Sequence, residues 1–282
     1  MTQGILAFNT PKYPRQLRFD TTTSCNAKCL SCHRFHPSNM RKGHMELEYV
    51  EKIMRDVKGW KFPLEEIVPV NYGEFFTYKY WYEFLRLAER LLPQTKVVIP
   101  TNGSELDWQL DKLLLCQNVK LLNFSINGFL GTTYELFMKL PSANINKIRG
   151  MIPKIKQQRP DITIWISMVY DPIYQSEAEK DLFVEAWKPF GTPWVLAASN
   201  CNRSPLSIHT SLPCRSLFSD MVIGFDGRVS ACCFDAGFKL DLGRFTGSVE
   251  EAWHNEKLDN LRQLHLAGKR QSCLWCYGCS FA

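Results

Sequence analysis

Short apolar runs of β type alternate with stretches of helical spacing along the chain up to about residue 198. Six runs rich in β-branched and aromatic residues are candidate strands, at residues 17–21, 66–71, 96–101, 119–126, 163–169 and 194–198. Between them, apolar residues recur every three or four positions in candidate helices at 46–58, 81–92, 104–116, 143–156 and 177–187. This alternation predicts an α/β fold, a partial (β/α)6 barrel whose ligand site lies at the carboxyl ends of its parallel strands.

The alternation stops at a polar, turn-prone stretch at residues 199–205. We therefore expect a domain boundary there. The barrel would occupy residues 1–204, and a smaller α+β domain would occupy residues 205–282.

Two kinds of element are predicted in the second domain. Candidate strands at 220–223 and 228–232 flank an Asp-Gly pair, which is a strong hairpin signal. A helix is predicted at 248–267, because Ser248 and Glu251 have the spacing of a capping box.

The composition indicates a globular chain with a sizeable core, since 45% of its 282 residues are hydrophobic and 13% are aromatic. The 34 Lys and Arg exceed the 28 Asp and Glu by a net charge of +6, which is spread along the sequence and forms no patch for nucleic acid. The first residues resemble no secretory or transit signal, and no segment approaches the roughly 18 continuous apolar residues of a membrane span. We therefore expect a cytoplasmic protein that binds neither nucleic acid nor membranes.

Eight of the eleven cysteines fall into clusters, and clustered cysteines in the cytosol usually serve metals or catalysis. Cys25, Cys29 and Cys32 lie within eight residues, directly after the first predicted strand. Three thiolates on one loop can hold three irons of a [4Fe-4S] cluster and leave the fourth iron open to a substrate or cofactor. The alternative is a zinc site that His33 or His36 completes.

The CxxxCxxC spacing and its place after strand 1 resemble the radical S-adenosylmethionine superfamily. That resemblance implies a (β/α)6 barrel, a cluster on Cys25, Cys29 and Cys32, and binding of S-adenosylmethionine to this cluster. One departure is Ser31, because the family usually has an aromatic residue before the third cysteine.

Further motifs of the family can be matched at the ends of the next three predicted strands. They are Gly73-Glu74, Thr101-Asn102-Gly103 and Ser125-Ile126-Asn127. The first departs from the usual Gly-Gly-Glu-Pro, since one glycine and the proline are missing. The resemblance implies that Gly73 and Glu74 contact the amino group of S-adenosylmethionine. It also implies hydrogen bonds from the later motifs to the carboxylate or ribose of the cofactor, through Thr101, Asn102, Ser125 and Asn127.

A second group of cysteines has the layout of the twitch domain, a short relative of the SPASM domain. Gly227 lies between the first two cysteines, at the spacing that this layout requires. By resemblance, a second, auxiliary [4Fe-4S] cluster has four cysteine ligands: Cys214, Cys232, Cys273 and Cys276. Cys279 is an alternative ligand to Cys276, and a zinc site with four cysteines is the alternative to a cluster.

The resemblance implies an enzyme that reductively cleaves S-adenosylmethionine to a 5′-deoxyadenosyl radical and abstracts a hydrogen from its substrate. The auxiliary cluster would accept an electron, so that the net reaction is an oxidation. We expect modification of a ribosomal peptide or protein, the larger class with this layout. The alternatives are a dehydrogenase of a small metabolite such as an aminocyclitol and, in another class, a zinc-stabilised binding protein without redox chemistry.

The same resemblance implies an electron donor such as flavodoxin or ferredoxin. About 15 residues precede the first predicted strand, so we expect that a separate protein could supply recognition of a peptide substrate. The sequence identifies no general base and no other catalytic side chain.

Overall fold

A computed structural model describes residues 10–32, 41–197, 212–277 and 279. Its strands are β1 (Gln16–Asp20), β2 (Glu66–Val68), β3 (Lys96–Thr101), β4 (Val119–Ser125), β5 (Thr163–Tyr170), β6 (Thr192–Ala197), β7 (Asp220–Gly224) and β8 (Val229–Ser230). They form one open sheet in the order β6-β5-β4-β3-β2-β1-β7-β8. Neighbouring strands from β6 to β7 are parallel, and β8 is antiparallel to β7. The predicted α/β fold with a partial barrel is confirmed.

The α-helices in the described part of the chain are α1 (Leu47–Lys58), α2 (Trp81–Leu91), α3 (Leu110–Leu114), α4 (Gly131–Met138), α5 (Ala143–Gln158), α6 (Glu177–Trp187), α7 (Val249–Trp253) and α8 (Glu256–Leu266). None of these is long and apolar enough to cross a membrane.

The main core lies between the outer face of the sheet and the helices. Alternate residues of β3 face this core, as shown by Val97 and Ile99, which are fully buried. Phe19 of β1 makes an edge contact with Phe84 of α2, with ring centroids 5.2 Å apart. Val98 and Pro100, on the other face of β3, are partly buried.

Two predicted helices differ from the structure, and one further helix has no predicted counterpart. The single helix predicted at 248–267 is wrong: Ser248 caps α7 as expected, but Asn255 accepts a hydrogen bond from the Leu258 N–H and begins α8. The helix predicted at 104–116 consists of a 3-10 turn at Asp107–Gln109 followed by the short α3. Helix α4 was not predicted, because it begins without a capping side chain.

The hairpin of the C-terminal segment extends the barrel sheet. Strand β7 pairs in parallel with the whole of β1, from Gln16 beside Asp220 to Asp20 beside Gly224. The turn-prone stretch at 199–205 lies outside the described residues, so the boundary after residue 204 stays a prediction.

Candidate cluster and cofactor sites

A loop at residues 21–32 leaves the carboxyl end of β1 and carries three partly exposed cysteines: Cys25, Cys29 and Cys32. Several hydrogen bonds fix the loop to its surroundings, and two of them lie near its opposite ends. The Thr21 hydroxyl donates to the Pro69 carbonyl at 2.6 Å, just after β2. The Leu30 N–H donates to the Phe137 carbonyl of α4 at 2.9 Å. The predicted ligand loop is therefore held between the end of β2 and a helix that the sequence did not reveal.

The end of β2 lies directly against this loop. A Cβ placed on Gly73 would be 2.1 Å from the Thr22 carbonyl oxygen and 2.7 Å from that of Ser24, so no larger residue fits without movement of the backbone. The next residue, Glu74, donates its N–H to the Ser24 carbonyl at 2.8 Å. The glycine of the predicted motif thus allows close contact between two backbone segments.

The carboxylate of Glu74 is buried and accepts three hydrogen bonds. Oε1 accepts from the Thr101 hydroxyl at 2.7 Å and from the Phe76 N–H at 3.3 Å. Oε2 accepts from the Asn102 N–H at 2.7 Å. Burial raises the pKa of Glu74 to about 7, although these hydrogen bonds act in the opposite direction. A carboxylate has about four acceptor positions, so one position on Oε2 remains.

Asn102 connects this carboxylate to the cysteine loop. Its amide Nδ2 donates to Asn26 Oδ1 at 2.9 Å and lies 4.0 Å from Cys25 Sγ. The structure therefore brings three of the predicted cofactor-binding residues, Glu74, Thr101 and Asn102, beside the first cysteine.

The end of β4 reaches the same loop through a methionine. Asn127 is buried; its Oδ1 accepts the Val169 N–H at 2.8 Å, and its Nδ2 lies 3.1 Å from Met138 Sδ. The Met138 sulfur is in turn 3.4 Å from Cys29 Sγ. Ser125 is half-buried and lies beside Ser167 of β5. Met138 was missed because it ends α4, and no local pattern relates it to Cys29.

The C-terminal segment contains a cavity that is largely apolar. Four thiols from three separate parts of the segment line it: Cys214, Cys232, Cys276 and Cys279. Cys273, which was also predicted as a ligand, does not line the cavity but forms a hydrogen bond with Cys276. The structure therefore gathers all five candidate cysteines, with Cys279 on the cavity wall.

The surroundings of this cavity change the pKa of its thiols. Burial raises the pKa of the Cys214 and Cys232 thiols, so both favour the neutral form in the absence of metal. The hydrogen bond with Cys276 lowers the pKa of Cys273. Bound iron would supply the positive charge that holds buried thiolates.

Two residues that the sequence analysis did not select fix this cavity. His265 is buried, and its Nδ1 accepts the Cys214 N–H at 3.2 Å. Burial, together with the nearby charge of Arg270, lowers the pKa of His265 to about 4. Arg270 donates to the Leu212 carbonyl at 2.9 Å and to the Cys279 carbonyl at 3.1 Å. A single guanidinium therefore joins the two ends of the thiol set.

In the ranges that the structure describes, no three His, Cys, Asp or Glu side chains are arranged to hold a single metal ion. His33 and His36, on which the zinc alternative for the first site depends, lie outside those ranges. Soft thiols on one loop, and four more around an apolar cavity, are a donor set that fits iron–sulfur clusters.

Comparison with known families finds one match in the C-terminal segment. Residues 214–280 match the SPASM model, which is described as an iron-sulfur cluster-binding domain. No curated protein matches the sequence.

Several solved structures share the fold. BtrN in complex with AdoMet and 2-DOIA has a TM-score of 0.66 at 16% identity, over 93% of this chain and 91% of that one. Streptococcus suis SuiB bound to the precursor peptide SuiA has a TM-score of 0.65 at 16% identity, over 98% of this chain and 72% of that one. Native anSMEcpe with bound AdoMet and the Cp18Cys peptide has a TM-score of 0.64 at 15% identity, over 94% and 87%.

These likenesses confirm the fold predicted from the sequence, and the SPASM match agrees with the predicted iron-sulfur segment. They also agree with the predicted cofactors, since AdoMet is bound in two of the three structures and the SPASM domain binds iron-sulfur clusters.

Proposed function

We propose that this chain, which has the radical S-adenosylmethionine fold and ends in a SPASM-type iron-sulfur segment, is an enzyme that oxidises its substrate by hydrogen abstraction. The observation that carries this proposal is the position of Glu74, whose carboxylate binds Thr101 and Asn102 beside Cys25. The segment after β2 and the end of β3 therefore lie together beside the cysteine loop.

In this proposal Cys25, Cys29 and Cys32 hold the first cluster and leave one iron without a protein ligand. When bound, this cluster supplies an electron that cleaves S-adenosylmethionine to a radical, and a second cluster accepts the electron that the substrate loses. The chain holds the loop rigidly through Thr21 and Leu30, and thereby fixes the reacting groups relative to one another.

The residues around Glu74 would bind the methionine part of S-adenosylmethionine. The acceptor position that remains on Glu74 Oε2 suits an ammonium group, whose positive charge would also offset the cost of burying the carboxylate. Close contact at Gly73 holds the segment after β2 against the loop whose cysteines would hold the cluster. Thr101 and Asn102 would position the carboxylate of S-adenosylmethionine. Ser125 and Asn127 would contact its ribose from the end of β4.

For the auxiliary cluster we propose the ligands Cys214, Cys232, Cys276 and Cys279, since these four thiols line one cavity. Cys273 would then stabilise Cys276 by a hydrogen bond. The resemblance to the twitch layout supports Cys273 in place of Cys279, and both sets contain Cys276.

For the substrate we propose a peptide or protein side chain. SuiB and anSMEcpe, which share the fold, were both solved with bound peptides. A small alcohol is the second candidate, because BtrN and this chain cover each other almost completely and BtrN was solved with the small molecule 2-DOIA.

The test of the reaction is release of 5′-deoxyadenosine from S-adenosylmethionine by the reduced, iron-reconstituted protein. We expect Cys29→Ala to abolish this release. The matched control is Cys116→Ala, because Cys116 is buried in the core away from both sites and should leave the release unchanged. Zinc in place of iron and labile sulfide, or unchanged release by Cys29→Ala, would contradict the proposal.

The substrate class is tested by isotope transfer. Deuterated peptides and deuterated polyols would be offered separately, and the 5′-deoxyadenosine analysed by mass spectrometry. We expect deuterium in 5′-deoxyadenosine from the peptides only, together with a peptide product that has lost two hydrogen atoms. Transfer from the polyols alone would favour the second candidate.

A further inference from the structure

Three N–H groups around the cavity of the C-terminal segment are buried and have no hydrogen-bond partner in the described part of the chain. They are His265 Nε2, Arg270 Nε and Trp275 Nε1. All three residues line the cavity that the four thiols also line. A buried donor without a partner is destabilising, so three such donors around one cavity require an explanation.

The hydrogen bond to Cys214 settles which His265 nitrogen donates. Because Nδ1 accepts the Cys214 N–H at 3.2 Å, the proton of the neutral ring lies on Nε2. The His265 ring therefore accepts the backbone N–H of Cys214 with Nδ1 and has an N–H donor left on Nε2.

Arg270 and Trp275 each also keep one buried N–H group that donates no hydrogen bond to any described residue. The guanidinium of Arg270 uses its terminal nitrogens on Leu212 and Cys279 and keeps its Nε hydrogen. The Trp275 ring is partly exposed, with Lys239 at 5.6 Å from its centroid, whereas its Nε1 is buried.

We infer that His265, Arg270 and Trp275 donate N–H···S hydrogen bonds to the auxiliary cluster and thereby raise its reduction potential. The inference rests on the proposed function, since it requires a cluster in this cavity. Hydrogen bonds to cluster sulfurs and a nearby positive charge stabilise the reduced, more negative state. A cluster of raised potential accepts an electron from a substrate radical more readily, which suits a net oxidation.

The experiment measures the midpoint potential of the auxiliary cluster by an EPR-monitored redox titration. The full-length chain carries Cys25→Ala, Cys29→Ala and Cys32→Ala, so that only the second cluster contributes to the signal. In this background, Trp275→Phe removes one N–H and keeps an aromatic ring, and His265→Leu removes another. His265→Gln is the rescue variant, because an amide can both accept from Cys214 and donate.

We expect Trp275→Phe and His265→Leu to shift the midpoint potential to more negative values at unchanged iron and sulfide content. His265→Gln should return the midpoint potential most of the way to that of the background chain. Trp108→Phe is the matched control, because Trp108 is exposed and lies outside the cavity. The midpoint potential of the auxiliary cluster in this variant should equal that of the background chain.

Unchanged potentials in both donor variants, with the cluster intact, would overturn this inference and leave the proposed function standing. A background chain that binds no iron and sulfide would overturn both. A shift in Trp108→Phe as large as that in Trp275→Phe would also overturn the inference, because the effect would then not arise from the cavity.

Discussion

Gly73 and Thr22 are in such close backbone contact that a Cβ on Gly73 would lie 2.1 Å from the Thr22 carbonyl oxygen. This contact holds the end of β2 against the loop that carries the first three cysteines. This chain has a glycine at this position although it lacks the proline of the motif. The close packing gives a physical reason for the glycine.

Gly73→Ala is expected to destabilise the cysteine loop, because the added methyl group must displace the backbone of Thr22 or Ser24. We expect a loss of about 1–3 kcal/mol in the free energy of unfolding and a lower iron content of the first site. The measurements are chemical denaturation and iron analysis.

Gly150→Ala is the matched control for that substitution. A Cβ at Gly150 meets no atom within 4 Å, and the residue lies inside α5. Alanine should therefore stabilise the chain by about 0.5–1 kcal/mol. Equal effects of the two substitutions would contradict the role given to Gly73.

Glu74→Gln is expected to change how stability depends on pH. Burial raises the pKa of Glu74 from 4.5 to about 7, so between these values the folded chain holds a proton that the unfolded chain has released. The contribution of Glu74 to stability is therefore greatest below pH 4.5 and falls by about 3 kcal/mol as the pH rises to 7.

Denaturant unfolding of the iron-free chain at several pH values measures this dependence. The difference in free energy of unfolding between the parent and Glu74→Gln should change by about 3 kcal/mol across the window. Glu185→Gln, which alters an exposed helix residue, is the control for loss of one carboxylate. Parallel curves for the parent and Glu74→Gln would exclude an ionisation of Glu74 in this range.

Cys232→Ala is expected to separate the two sites. Cleavage of S-adenosylmethionine should persist, because the cysteine loop after β1 is unchanged, whereas substrate oxidation should fall below detection. The measurements are 5′-deoxyadenosine release and product formation in the same reaction. Loss of both activities together would indicate that the second site serves folding.

Cys279→Ala and Cys273→Ala are expected to differ in iron content. Because Cys279 lines the cavity and Cys273 does not, we expect the first substitution to remove the auxiliary cluster and the second to retain most of it. Iron and sulfide analysis of both variants decides between the two ligand sets. The reverse result would support the ligands Cys273 and Cys276 that the twitch layout implies.

Local patterns predicted most of the barrel. Helix α6 has the predicted bounds, because Ser176 caps it by accepting the Glu179 N–H and its apolar residues have helical spacing. Strand β3 also has its predicted bounds, since its alternate residues are buried. The cysteine loop and the motif at Glu74 could be found because short motifs mark them in the sequence.

Contacts between distant segments could not be predicted. The pairing of β7 with β1 joins residues about 200 positions apart, and neither strand has a local feature that selects the other. Met138 reaches Cys29 only because α4 packs on the cysteine loop. His265 contacts Cys214, which is 51 residues earlier in the sequence. Nothing in the sequence pattern of α8 distinguishes His265 from the other polar residues of that helix.

The pairing of β1 with β7 also determines what truncation would do. In the complete sheet β1 has a neighbour on both sides, β2 and β7. Without the C-terminal segment, β1 would become an edge strand with a full row of unpaired backbone groups, an arrangement that promotes aggregation. The barrel and the SPASM-type segment therefore depend on each other as parts of one sheet, and an isolated barrel would expose the very strand that positions the first cysteines.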